Sequence, residues 1–198
     1  WVGFDGAPNT TVAGVDGAIK VFDRFHGFGL VILNDEIGAF NTLMININYA
    51  YRIELQKGEL GLGLKLGMIN TKYDGSKLNP SAGQSPDDYH QENDDAILKS
   101  NASGSAPDFG FGAHYQSAKF YAGVSVTHLN RPKPSFNEDL KWEMLPTIFF
   151  SSGYLHHLKN KRYALEPRVM LKSDFKGVQF ELGSALHYND KIWGALGY

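Results

Sequence analysis

Residues 60 to 68 read Leu-Gly-Leu-Gly-Leu-Lys-Leu-Gly-Met. In an extended chain Leu60, Leu62, Leu64, Leu66 and Met68 fall on one face, and Gly61, Gly63, Lys65 and Gly67 on the other. An apolar residue at every second position suits a strand with one face in oil. The opposite face offers a protein core little to pack and one charge to bury, so it belongs against a wet or loosely filled interior. Together the two faces describe the wall of a transmembrane β-barrel, with lipid outside and a lumen inside.

The same alternation recurs along the chain. Turn residues and period-two patterning mark ten extended segments, roughly 10–19, 27–37, 40–54, 58–72, 107–116, 118–129, 143–158, 161–173, 177–188 and 191–198. The third sets Leu43, Ile45, Ile47, Tyr49, Tyr51 and Ile53 against Asn46, Asn48, Ala50 and Arg52. The fifth sets Phe109, Phe111, Ala113 and Tyr115 against Asp108, Gly110, Gly112 and His114. Asn46, Asn48, Arg52, Lys65 and Asp108 are therefore expected to line the lumen. Several segments reach the roughly 9–11 residues that a tilted membrane strand needs, where soluble sheets use about 5–6. The fold class is all-β: an antiparallel up-and-down transmembrane β-barrel with about ten strands present.

Connection lengths test this reading independently. If the strands run up and down, the short turns near 55–57, 116–118, 158–161 and 189–190 share one side. The two long loops, 73–106 and 130–142, share the other, which is the expected asymmetry of periplasmic turns and external loops. Tyr49, Tyr51, Tyr115, Tyr121, Tyr154, Tyr163, Tyr188 and Trp193 all flank the short turns and are expected to form an interfacial girdle. Pro167 interrupts the eighth segment and predicts a bulge there, because proline cannot donate to the ladder. Residues 1–198 read as a single domain.

Composition narrows the function classes. A formal net charge of −2 provides no basic field for nucleic acid. The absence of cysteine excludes disulfide frameworks and cysteine-ligated zinc. No apolar run approaches the roughly 20 residues of a spanning helix, and a mean hydropathy of −0.29 is compatible with strands that dilute an apolar face with a polar one.

Candidate chemistry is sparse. Asp87, Asp88, Glu92, Asp94 and Asp95 lie in an oxygen-rich run that is a candidate Ca²⁺ ligand set. The run lacks the alternating spacing and central glycine of a calcium loop, so it reads as a solvated acidic external loop. His114, His128, His156, His157 and His187 read as interface or turn histidines, since neighbours in a strand face opposite sides and do not converge on a metal. No serine, histidine and carboxylate set is motif-grade, and no catalytic residue or cofactor is assigned. Gly61, Gly63 and Gly67 lack the spacing and following helix of a dinucleotide site.

Several stretches carry a family resemblance. Trp1-Val2-Gly3-Phe4-Asp5-Gly6-Ala7-Pro8-Asn9-Thr10, Gly29 to Gly38, Pro107 to Gly112, Phe120 to Asn130, Glu166 to Asp174 and Leu186 to Gly194 resemble, in order, stretches of the PorP/SprF family. These are membrane proteins of the Bacteroidota type IX secretion system. The resemblance spans essentially the whole chain. Family members begin with a signal peptide and continue for several strands beyond Trp193. This chain starts without a basic and apolar leader and closes on a strand, so it reads as an internal piece of a longer barrel, truncated at both ends.

The resemblance implies a non-enzymatic protein of the bacterial outer membrane, serving protein secretion and gliding motility. Its partners would be outer-membrane lipid, a secreted cargo protein or surface adhesin, and periplasmic components of the machine. The family motif residues Trp1, Gly3, Gly6, Ala7, Pro8, Asn34, Asp35 and Gly38 are expected to be structural. The competing reading is a passive outer-membrane transport barrel, either porin-like or a channel for hydrophobic solutes.

Overall fold

Each alternating segment becomes a strand, and the strands join into one sheet. The computed structural model describes residues 6–75, 101–135, 143–189 and 191–198. In chain order the strands are β1 (Asn9–Val21), β2 (Arg24–Ile37), β3 (Phe40–Leu55), β4 (Gly58–Tyr73), β5 (Ala102–Gln116), β6 (Phe120–Thr127), β7 (Thr147–Tyr154), β8 (His156–His157), β9 (Tyr163–Ser173), β10 (Val178–Tyr188) and β11 (Ile192–Gly197). Neighbours in sequence pair antiparallel, with β7 and β8 both on β9. β1 and β11 do not pair with each other, so the sheet is open, as an incomplete barrel would be.

Three local expectations change. β5 begins at Ala102 and pairs with β4 from there, so 102–106 is strand where the sequence reads as loop. The seventh segment divides into β7 and β8. Pro167 is the cause, and it makes a gap, not a bulge. On one side β9 pairs with β10 without interruption, including Pro167 with Ser184. On the other, pairing with β7 stops at Gly153–Arg168 and resumes with β8 at His156–Leu165 in the same register. The missing N–H costs ladder contacts, but no extra residue is inserted.

Register carries each face across the sheet. Val15, Leu30, Ile47, Leu66 and Phe109 are successive cross-strand partners on five strands, and all five are large apolar side chains left exposed. A soluble sandwich would bury such a row. Among the described residues the buried hydrophobic side chains are few, and most are small: Ala39, Ile69, Tyr73, Ala106, Ala164 and Ala185. The apolar surface therefore points outward, as it must when lipid is the solvent. From Leu60 to Met68 the belt covers eight residue steps of β4. That is roughly 27 Å of strand, which a tilt of about 40° projects to about 21 Å, close to the ~25 Å of a barrel's apolar band.

Polar residues bound the belt at the rim that carries the long loops. On the outer face there, Asn34 and Asn41 donate to Glu36 at 3.3 and 2.7 Å, and Asn70 donates to Ser105 at 2.8 Å. At the opposite rim the outer aromatics gather in pairs, including Phe28–Tyr49, Tyr115–Phe120 and Tyr163–Tyr188. Two members of the expected girdle do not belong to it. Tyr121 pairs with Gln116 and Gly153 on the inner face, while its neighbour Phe120 takes the outer position. Trp193 lies opposite His187, also on the inner face.

Candidate functional site on the inner face

The inner face is built from the residues that the belt excludes. Asp16, Gly29, Asn48, Lys65 and Gly110 form one cross-strand row, and Asn46, Gly67 and Asp108 form part of the next. Arg52 lies further toward the short-turn rim, where it pairs with Glu59 at 3.3 Å. All five residues expected to line the lumen thus share one face. They do not converge on one point: Asn48, Arg52 and Lys65 border an open cavity of about 650 Å³, floored by glycines including Gly63 and Gly112.

Two clusters of titratable side chains organise this face. In the first, Asp108 is fully buried and both its carboxylate oxygens are occupied. Lys65 Nζ donates to Oδ2 at 2.6 Å, and His128 Nδ1 lies 3.0 Å from Oδ1. In the second, nearer the short turns, Glu166 accepts from the Tyr121 hydroxyl at 3.2 Å on Oε1 and meets His187 Nε2 at 2.7 Å on Oε2. The Tyr121 ring reaches Glu166 by lying flat against Gly153, where a Cβ would sit 2.5 Å from the ring. His114 stacks on the same ring, with centroids 6.1 Å apart.

Three histidines expected at interfaces or turns, His114, His128 and His187, therefore contribute to interior clusters. His26 does sit at the outer aromatic rim, 2.8 Å from the Tyr49 hydroxyl. Among the described residues no set of three or more His, Asp or Glu could hold a metal. The acidic run containing Asp87, Asp88, Glu92, Asp94 and Asp95 lies outside the described residues.

A third element has no counterpart in the sequence pattern. After Thr127 the chain keeps one backbone bond to β5, from the Leu129 N–H to the Phe109 carbonyl at 3.0 Å, while His128 and Arg131 take φ values of 56° and 47°. The following residues run on toward the long-loop rim over the inner face instead of continuing in the sheet. Gly104 belongs to that face through its pairing with Thr71, and a Cβ there would lie 2.5 Å from the Ser135 carbonyl oxygen. Pro132 and Pro134 are buried. Asn130 fastens this segment by imitating a strand: its Nδ2 donates to the Pro107 carbonyl at 2.7 Å, and its Oδ1 accepts from the Phe109 N–H at 3.1 Å. These are β5 groups that β6 no longer reaches.

The two segments bearing most of the family motif also meet. Gly38 donates its N–H to the Gly6 carbonyl at 3.1 Å, and both glycines have positive φ. Thr10 donates its hydroxyl to Asp35 at 2.5 Å. A profile described as the type IX secretion system membrane protein PorP/SprF matches residues 1–198. The chain belongs to the PorP/SprF family. A comparison with curated proteins finds no match.

Membership makes it a type IX secretion system membrane component, and its all-β wall with an outward apolar belt makes it an outer-membrane β-barrel protein. Of the PorP/SprF motif residues, Trp1 and Gly3 lie outside the described residues. Gly6, Ala7 and Pro8 lead into β1, while Asn34, Asp35 and Gly38 close β2 and its turn into β3. Their contacts tie these two segments together and to their neighbours: Gly38 to Gly6, Asp35 to Thr10 and Asn34 to Glu36.

Proposed function

We propose that this barrel is a non-enzymatic member of the type IX machinery that binds or anchors secreted cargo or machine partners. The observation that carries the reading is the state of its inner-face charges. Asp108 and Glu166 have both oxygens committed to neighbouring side chains, which suits holding the wall of a binding or anchoring barrel in shape. Cargo protein or surface adhesin would be met at the loops and the lumen. Periplasmic components of the machine would be met at the short turns.

The test is affinity capture of the tagged protein from its own outer membrane, together with the secreted protein profile of a deletion strain. The proposal expects a specific secreted protein to be captured, and to be lost from the cell surface on deletion. A deletion strain with an unchanged secreted profile would sink it. The glycine-floored cavity favours a second reading, a passive transport barrel. Steady conductance of the intact protein in planar bilayers, with no protein captured, would select that reading.

A further inference from the structure

We propose that residues 128–135 form an inward strap that narrows the long-loop end of the barrel interior, and that Asp108, through Lys65 and His128, is the anchor holding it in place. The inference goes beyond the binding role and does not depend on which partner is bound.

Four independent features converge on the strap. Its path is set by two left-handed residues, His128 and Arg131, where a simple extension of β6 would need none. Its first residue is tied to a fully buried carboxylate of the adjacent strand β5, and Lys65 of β4 holds that carboxylate from the other side at 2.6 Å. Its third residue, Asn130, adds side-chain hydrogen bonds to β5 just beyond the last backbone bond, from the Leu129 N–H to the Phe109 carbonyl. Its far end presses backbone against Gly104, a contact that any side chain at 104 would obstruct.

The return leg reinforces this arrangement. Met144 donates its N–H to the Pro132 carbonyl at 3.1 Å, and Glu143 pairs with Lys133 at 3.2 Å. Ile69, Thr71, Ala106 and Asp108 are all buried on the stretch of inner face that the strap crosses, whereas the glycine-floored cavity further down remains open. A segment that covers one end of an interior and leaves the rest open acts as a constriction. Its ionic anchor is the Asp108 carboxylate, whose loss should loosen the near end of the strap, held then by Asn130 and the Leu129 N–H alone, while the wall's backbone ladder stays paired.

The chain contains no cysteine, so single cysteines report accessibility cleanly. In the intact protein, Pro134→Cys should react with a membrane-impermeant maleimide at least about tenfold more slowly than Lys133→Cys, whose side chain is largely exposed, because reaction requires local opening. Adding Asp108→Asn should bring the two rates together, and the Asp108→Asn protein should conduct more in planar bilayers than its parent. If Asp108→Asn fails to insert, Gly104→Val provides the same readouts, since it displaces Ser135 and leaves the anchor residues in place. Equal labelling at 133 and 134 in the parent would overturn the strap. Labelling that ignores both anchor and Gly104 variants would overturn the holding mechanism. Faster labelling with unchanged conductance would overturn the narrowing.

Discussion

Gly38 donates its backbone N–H to the carbonyl of Gly6 at 3.1 Å, and both residues sit at positive φ, 58° and 81°. This bond ties the segment before β1 to the turn between β2 and β3, at the rim that carries the long loops. Left-handed backbone costs an L-residue about 1–2 kcal/mol, so Gly38→Ala should destabilise the barrel by about that amount, even though a Cβ at Gly38 would meet nothing within 4 Å. Gly6→Ala should cost a similar amount, since its Cβ would make only van der Waals contact with the Gly38 Cα at 3.4 Å. Thermal unfolding followed by strand circular dichroism would measure both. A Gly38→Ala protein as stable as its parent would contradict the backbone account of this motif.

The Lys65–Asp108 pair should behave as a buried salt bridge does. Removing one partner leaves the other charge uncompensated at a cost of roughly 3–5 kcal/mol, and the lower end applies here because the Lys65 side chain remains 19% exposed and can turn to water. Asp108→Leu should therefore be strongly destabilising. Lys65→Met combined with Asp108→Leu should recover much of that loss, since no orphaned ion pair remains. A double variant no better than Asp108→Leu alone would show that the ion pair is not what stabilises this part of the wall.

The second cluster offers a steric test. A side chain at Gly153 would overlap the Tyr121 ring and push its hydroxyl from Glu166. Gly153→Val should therefore destabilise the barrel more than Tyr121→Phe, which removes one hydrogen bond worth about 1 kcal/mol. Pairing Gly153→Val with Tyr121→Ala should relieve the overlap and raise the thermal midpoint above that of Gly153→Val alone. Additive losses would mean that the ring does not depend on the space at Gly153.

The wall was legible from sequence for a physical reason. A strand's side chains alternate by geometry, so Leu60 to Met68 announced its two faces without knowledge of any partner, and the two long loops fell on one rim by parity. What lay hidden depended on partners distant in sequence. Glu166 meets Tyr121 across 45 residues, and Asp108 meets Lys65 across 43. Nothing local to His128 singles out its left-handed turn, because histidine, although enriched among the residues that adopt one, far more often stays extended. Tyr121 and Trp193 were misplaced because proximity to a turn locates a residue along the barrel axis, while only its parity within the strand decides which face it takes. Pro167 shows the same limit: its missing donor was predictable, but whether the strand would bulge or tolerate a gap depended on β7 keeping its register.

The turn between β9 and β10 should respond to acid. Asp174 accepts hydrogen bonds from the backbone N–H groups of Gly177 at 2.8 Å and Lys176 at 3.0 Å, and these donors hold its carboxyl below its ordinary value of 3.8. A carboxyl with a lowered folded-state pKa stabilises the fold fully above its unfolded value, and that contribution disappears as pH falls through the folded one. The turn should therefore be unaffected near neutrality and loosen only below about pH 4, near the unfolded carboxyl value. Amide hydrogen exchange at Lys176 and Gly177, corrected for the intrinsic pH dependence of exchange, should accelerate there in the parent protein. In Asp174→Asn, whose side-chain carbonyl accepts the same bonds without titrating, corrected exchange should stay flat across the range. Equal acid sensitivity in both proteins would assign the loosening to another group.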